Sequence, residues 1–287
     1  MTTLRVLVIL LAARTAARAE DRHDVHDEHA GHAGHAGPTE HGEHDVPSLP
    51  DASGHHHHQH RGAMLSASVG VMLADYEARL YRGDYQGLVT GARWTHGRYG
   101  LGASLTSYRL TKNGKTIDGI GDVMAHAHAS LVERGPWNLG VMLMASAPTG
   151  DDLAGLGMGH VMFMPELWAG WTRGRLAAAA SAGYSYMLGG VLAHAEHGGG
   201  MWPLVDPMNA SELTYAGGLT LGLARDLGLG ARLRGAAPLG DGTHRLYGAL
   251  RIIWVAGRAE TTLEIQRGAL GDPFGLRGIL ETAIRIR

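Results

Sequence analysis

The sequence predicts an all-β protein: an antiparallel transmembrane β-barrel of about twelve strands, preceded by a disordered, histidine-rich segment. Three observations carry this expectation. From Met64 to Arg287 a period of two recurs, segment after segment. Short and long connections alternate between the segments, as periplasmic turns and extracellular loops do in outer-membrane barrels. The apolar faces are rich in Ala, Leu, Val and Gly, with Trp or Tyr near segment ends, whereas a soluble sandwich core calls for larger side chains.

The chain starts with a charged MTTLR, an apolar VLVILLAA and a small-x-small Ala17-Arg18-Ala19, the layout of a secretory signal peptide over residues 1–19. That apolar run is too short to cross a bilayer as a helix, and nothing later approaches the roughly 18 apolar residues a spanning helix needs. Residues 20–62 are a different material. Of the 19 histidines, 12 lie between His23 and His60, among Gly, Pro, Asp and Glu with almost nothing to build a core. Such a composition predicts disorder.

The remaining composition excludes several classes. Lys plus Arg number 25 against 27 Asp plus Glu, so no charge field points to nucleic acid. The absence of cysteine removes disulfides and thiolate metal sites. With 44 glycines and no collagen period, the chain suits closely packed strands with many turns.

Residues 63–287 form the predicted barrel, with strands beginning near residues 64, 85, 98, 120, 136, 159, 175, 212, 228, 244, 258 and 276. In residues 229–235, Leu229, Ala231 and Leu233 oppose Gly230, Arg232 and Arg234. In residues 258–266, Ala259, Thr261, Leu263 and Ile265 oppose Glu260, Thr262, Glu264 and Gln266. The segments THGR (95–98), ERGPW (133–137), TRGR (172–175) and RDLG (225–228) read as tight turns between antiparallel neighbours. Trp94, Trp168, Trp171, Tyr184 and Trp254 fall where interfacial girdles are expected. An even strand count lets the last strand close on the first and removes the open edges.

The face that would line the lumen has an unusual make-up. In VMAHAHASLVER (123–134), Met124, His126, His128 and Ser130 share one face and Ala125, Ala127 and Ala129 the other. The same parity places Met142, Met144, Met64 and Met72 inward, together with His160, Met162, Met164 and Glu166, so seven of the 12 methionines point into the lumen. Thioethers and imidazoles suit soft or borderline metals, Cu above all and Zn for the imidazoles. Two imidazoles two residues apart on a strand stand ~6.5 Å apart at Cα, close enough to converge on one ion. The same methionines would also serve as adaptable filling of an irregular lumen. Candidate metal ligands are therefore Met124, His126, His128, His160, Met162 and Met164, with His55, His56, His57 and His58 in the leader, whose loose multivalent binding would concentrate metal at the pore mouth.

Three segments carry a family resemblance: GIGDV (119–123), SAPTGDDLAGLGMG (146–159) and GLGARLRGAAPLGDG (228–242). Together they resemble the outer-membrane transporters grouped under the phenol-degradation meta-pathway name. The resemblance implies a porin-like barrel over about residues 64–287 with a role in uptake or transport.

The expected function is thus an outer-membrane, porin-like transporter of a small solute, with Cu or Zn handling as its finer form and membrane lipid as the surrounding partner. A metal-sequestering surface protein anchored by a barrel is the alternative. A lipid hydrolase built on His128 and Ser130 is more remote, because that pair falls on the lumen side without an orienting third group, and no catalytic activity is expected. Asp151 and Asp152 read as turn residues before they read as calcium ligands. Arg232, Arg234, Arg245, Arg251, Glu260 and Glu264 come from consecutive strands and are expected to pair across them.

Overall fold

The computed structural model describes residues 63–78, 81–112, 114–152, 154–188, 209–240, 242–271 and 274–286. The expected signal peptide and histidine-rich segment, His55 to His58 included, lie outside the described residues. Every regular element among the described residues is a strand. The first part of the chain forms β1 (Ala63–Ala78), β2 (Tyr81–His96), β3 (Tyr99–Lys112), β4 (Lys115–Ile120) and β5 (Val123–Arg134). Next come β6 (Trp137–Ala147), β7 (Val161–Arg173), β8 (Leu176–Leu188) and β9 (Ser211–Gly222). The last four are β10 (Leu227–Pro238), β11 (Arg245–Ala256), β12 (Ala259–Leu270) and β13 (Phe274–Arg285).

Consecutive strands pair antiparallel except β4 and β5, which both pair with β3, and β13 returns to β1 with Val69 opposite Thr282. β4 and β5 lie end to end along β3, opposite residues 107–112 and 99–104, with a break at Gly121 and Asp122. The thirteen segments therefore make a closed barrel of 12 strands. The strand starts follow the period-two reading within a few residues. Residues 97–98, 135–136, 174–175, 223–226 and 257–258 are short connections at the end that holds both termini of the barrel. Four of them need a positive φ at the first turn position, and Gly97, Gly135, Gly174 and Gly257 supply it at 58°, 58°, 60° and 60°.

The outward face is apolar nearly all the way round. Leu65, Val69, Leu88, Leu101, Leu139, Leu143, Leu219, Leu229, Leu250, Ile252, Ile265 and Ile284 are all exposed, from β1 through to β13. A soluble protein would not leave so continuous an apolar surface in water, whereas lipid calls for one. Trp94, Tyr99, Trp137 and Trp254 are exposed at the short-turn end, and Trp137 and Trp171 stand with ring centroids 6.5 Å apart, forming an interfacial girdle. Trp168 is a correction to the expected girdle. It lies on the inward face, where a Cβ at Gly140 would collide with its indole, and it packs against buried methionines. At the opposite end the outward face of β3 and β4 turns polar, with Arg109 and Asp118 exposed and paired at 2.7 Å. Lipid contact ends there.

This arrangement makes a sharp prediction. Leu167 is 64% exposed in the middle of β7. Substitution by arginine should destabilise the barrel in vesicles by about 2–4 kcal/mol if that position faces the bilayer midplane. On a water-facing surface the same change would stay within about 0.5 kcal/mol. Urea unfolding in lipid, followed by heat-modifiable gel mobility, measures the difference.

Candidate functional site

The inward side chains divide the lumen into three regions. The first is built by β5, β6 and β7. Met142 and Met144 from β6, Met162 and Met164 from β7, and Met158 from the preceding loop are all buried in one cluster. Met124 of β5, Met187 of β8 and Trp168 pack against it. His160 is buried beside them, its Nε2 3.2 Å from the Met162 sulfur. Pro165 interrupts the ladder between β7 and β8, since pairing passes from Phe163–Tyr186 directly to Glu166–Gly183.

His126 and His128 face inward from β5 with their rings nearly parallel, 19° between planes and 6.4 Å between centroids. Glycine makes the space for them. A Cβ at Gly100 or Gly102 of β3 would strike the His128 or His126 imidazole. Arg93 of β2 places Nη2 3.0 Å from His128 Nε2. A guanidinium can only donate, so Nε2 is the acceptor and the proton of that neutral ring sits on Nδ1.

The second region, from β9 to β13, is charged. Glu264, fully buried on β12, accepts from Arg232 Nη2 at 2.6 Å and lies 3.0 Å from Arg251 Nε. Glu212 on β9 accepts from Arg245 at 2.7 and 2.9 Å and from Ser185 at 3.2 Å. Arg232, Arg251 and Glu264 pair across strands as the alternating pattern predicted, whereas Glu212, the partner of Arg245, was not among the charges it named.

The third region is a fill of Met72, Tyr85, Tyr108, Leu110, Phe274 and Ile279, joined by Ala154 and Leu156 from the loop of residues 148–160. That loop folds inward. Asp122 accepts the Gly150 and Met158 amides at 3.0 and 2.8 Å, and Thr149 Oγ donates to the Gly121 carbonyl at 3.0 Å while accepting the Val123 amide at 2.9 Å. Asp151 accepts the Ala154 amide at 3.0 Å, which is a turn-forming role.

Of the expected site residues, the structure gathers Met124, His160, Met162 and Met164 in the methionine cluster. His126 and His128 lie next to it, with Cα partners Met144 and Met142 across the β5–β6 ladder. Sequence reasoning missed Met158, Met187, Arg93 and the Asp122 staple. Parity along β8 and β2 would have placed Met187 and Arg93 inward, but no pattern in the sequence showed the loop turning in. Among the described residues, no three or more His, Asp or Glu side chains converge in a metal-holding group.

No protein-family model matches the chain, and no curated protein matches it. Among solved structures, the barrel is similar to an outer membrane channel from Pseudomonas putida F1, at 13% identity and a TM-score of 0.58, covering 78% of this chain and 96% of that one. It is also similar to the KdgM porin, at 8% identity and a TM-score of 0.50, covering 77% and 99% of the two chains. At these identities the likeness establishes the fold. A closed antiparallel barrel with a lipid-facing apolar belt and an aromatic girdle is an integral protein of the bacterial outer membrane.

Proposed function

We propose that the chain is a porin-like channel that passes small solutes across the outer membrane, and that soft or borderline metal ions are among the solutes it handles. The observation that carries the first half is the polar and charged inward face of β9 to β13, set against an apolar outward face. Lipid-facing leucines hold the barrel in the bilayer, and arginine–glutamate pairs make its inward face charged. The names of the similar structures, a channel and a porin, support the same reading. So does the resemblance to the phenol-degradation transporters, whose solute class does not follow from fold.

The metal half rests on the thioether and imidazole wall and on the 12 histidines between His23 and His60. Export by a cleaved signal peptide over residues 1–19 belongs to the same proposal.

Planar-bilayer recording tests the channel directly. Purified protein is expected to open discrete conductance steps and to admit small solutes into liposomes. Protein that inserts without conducting, and liposomes that stay sealed, would refute it.

A further inference from the structure

The charged groups of the lumen are sorted by strand. The buried carboxylates, Glu166, Glu212, Glu260, Glu264 and Glu281, all come from β7, β9, β12 and β13. On β1, β2, β3 and β6 the inward positions hold no carboxylate among the described residues. On β5 only Glu133 shares the inward side, as the Cα partner of Asn138, and it is exposed beside the turn at 135–136. Five adjacent strands therefore carry Arg93, His126 and His128 into the lumen without a buried negative charge of their own.

These three side chains meet over β3. Arg285, Ser66, Arg93, Gly102 and His126 are successive Cα partners across β13, β1, β2, β3 and β5, and so form one inward row. A Cβ at Gly102 would strike Cε1 and Nε2 of His126, so that imidazole lies over β3, between its own strand and Arg93. His128 lies over Gly100 in the same way, and its Nε2 is 3.0 Å from Arg93 Nη2. That bond orients the guanidinium fork toward the two rings. On the other side of Arg93, the short Ser66 separates it from Arg285 by two strand spacings, ~10 Å at the backbone.

We propose that Arg93 and His126, with His128 positioning the guanidinium and Arg285 adding charge along the row, form a binding site for a small oxyanion, a carboxylate or a phosphate, in the lumen. The inference rests on the channel half of the proposed function and is independent of the metal half. A cation held in a wall that has no buried carboxylate draws a mobile anion to supply the counter-charge. The planar guanidinium fork matches the geometry of carboxylate and phosphate oxygens. An imidazole adds an N–H donor beside it, from the neutral ring or from the imidazolium. The opposite wall is built differently: Arg232 and Arg251 meet Glu264, and Arg245 meets Glu212, so the chain's own carboxylates take the place of a solute there. One fork and one ring also hold an anion loosely enough to release it, as passage through a channel requires.

The test is potassium chloride current through the full-length protein in planar bilayers, with acetate and inorganic phosphate added in turn. A pH of about 8 keeps the histidines of residues 20–62 neutral, so they do not bind the anions. Each anion is expected to reduce the current with saturation, and the one with the lower half-blocking concentration names the class. Arg93→Gln should raise that concentration about tenfold or more. Arg93→Lys, which keeps the charge and loses the fork, should fall between the two. Lys112→Gln removes a cation from the same wall far along β3 from Gly102, beyond a Debye length, and should leave the block nearly unchanged. Heat-modifiable mobility verifies that each variant is folded, and His126→Phe carries the same test if the arginine variants fail to assemble. Current that neither anion blocks, block that survives Arg93→Gln and His126→Phe, or an equal loss in Lys112→Gln overturns the site. A barrel that inserts without conducting refutes the channel reading instead. Equilibrium dialysis of labelled acetate and phosphate against the detergent-solubilised protein then reads the site alone: binding lost in Arg93→Gln supports it, and binding unchanged overturns it.

Discussion

Replacing Asp122 with alanine is expected to raise single-channel conductance several-fold while leaving the barrel folded. Asp122 stands at the break between β4 and β5, and its two carboxylate oxygens accept the Gly150 and Met158 amides, one from each limb of the inward loop. Between those limbs the backbones of Gly150 and Gly157 are so close that a Cβ at Gly150 would sit 2.7 Å from the Leu156 carbonyl oxygen. The folded neck presents Ala154 and Leu156, 4% and 3% exposed, to the aromatic fill around Tyr85, Tyr108 and Phe274. Hydrogen bonds to a charged acceptor contribute about 1.5–3 kcal/mol each. Two partly buried ones therefore tilt the loop toward its inward position by a few kcal/mol, enough to hold it there nearly all the time. Alanine removes both acceptors at once. Asparagine keeps one oxygen and turns an amide donor toward the second N–H, so an intermediate conductance is expected. If Asp122→Ala conducts like the parent protein, the loop is not the constriction.

That loop also marks where the sequence stops being readable. Period two reports which face a residue occupies, and it did so well: Met124, His126 and His128 point inward from β5, and Arg232, Arg251 and Glu264 meet across three strands as the alternation required. The barrel was legible because lipid on one side and a lumen on the other impose the same alternation on every strand. Trp168 shows the cost of setting that rule aside. It shares the parity of Met162, Met164 and Glu166, yet its position near a strand end suggested a girdle, and the inward side was the correct one. The inward fold of residues 148–160 had no comparable signal. Its staple joins Asp122 to amides 28 and 36 residues away, contacts that depend on how the barrel closes. Met158 entered the methionine cluster by that route, so alternation assigned its strand-borne neighbours a face and left Met158 without one.

Glutamine in place of Glu264 should produce the largest loss of stability in the barrel and a change in ion preference together. Glu264 is fully buried and lies between Arg232 and Arg251, whose side chains are 6% and 3% exposed. Gln266, beside it on β12, donates to the same carboxylate and accepts from Arg277, which in turn lies 4.7 Å from the centre of the Phe274 ring. One carboxylate thus neutralises part of a cationic wall that runs from β10 to β13. Removing one member of a buried ion pair costs about 3–5 kcal/mol, because the partner charge stays buried without compensation. A loss of about 3 kcal/mol or more is therefore expected in urea unfolding from lipid vesicles. The remaining guanidinium groups leave the lumen more positive, and reversal potentials in a salt gradient should shift toward anions. Replacing Glu264, Arg232 and Arg251 together with Leu, Met and Met removes the charges along with their desolvation cost. That triple variant should recover most of the lost stability, without the anion shift of the single one. A single variant as stable as the parent would mean that water, and not Glu264, solvates the two arginines.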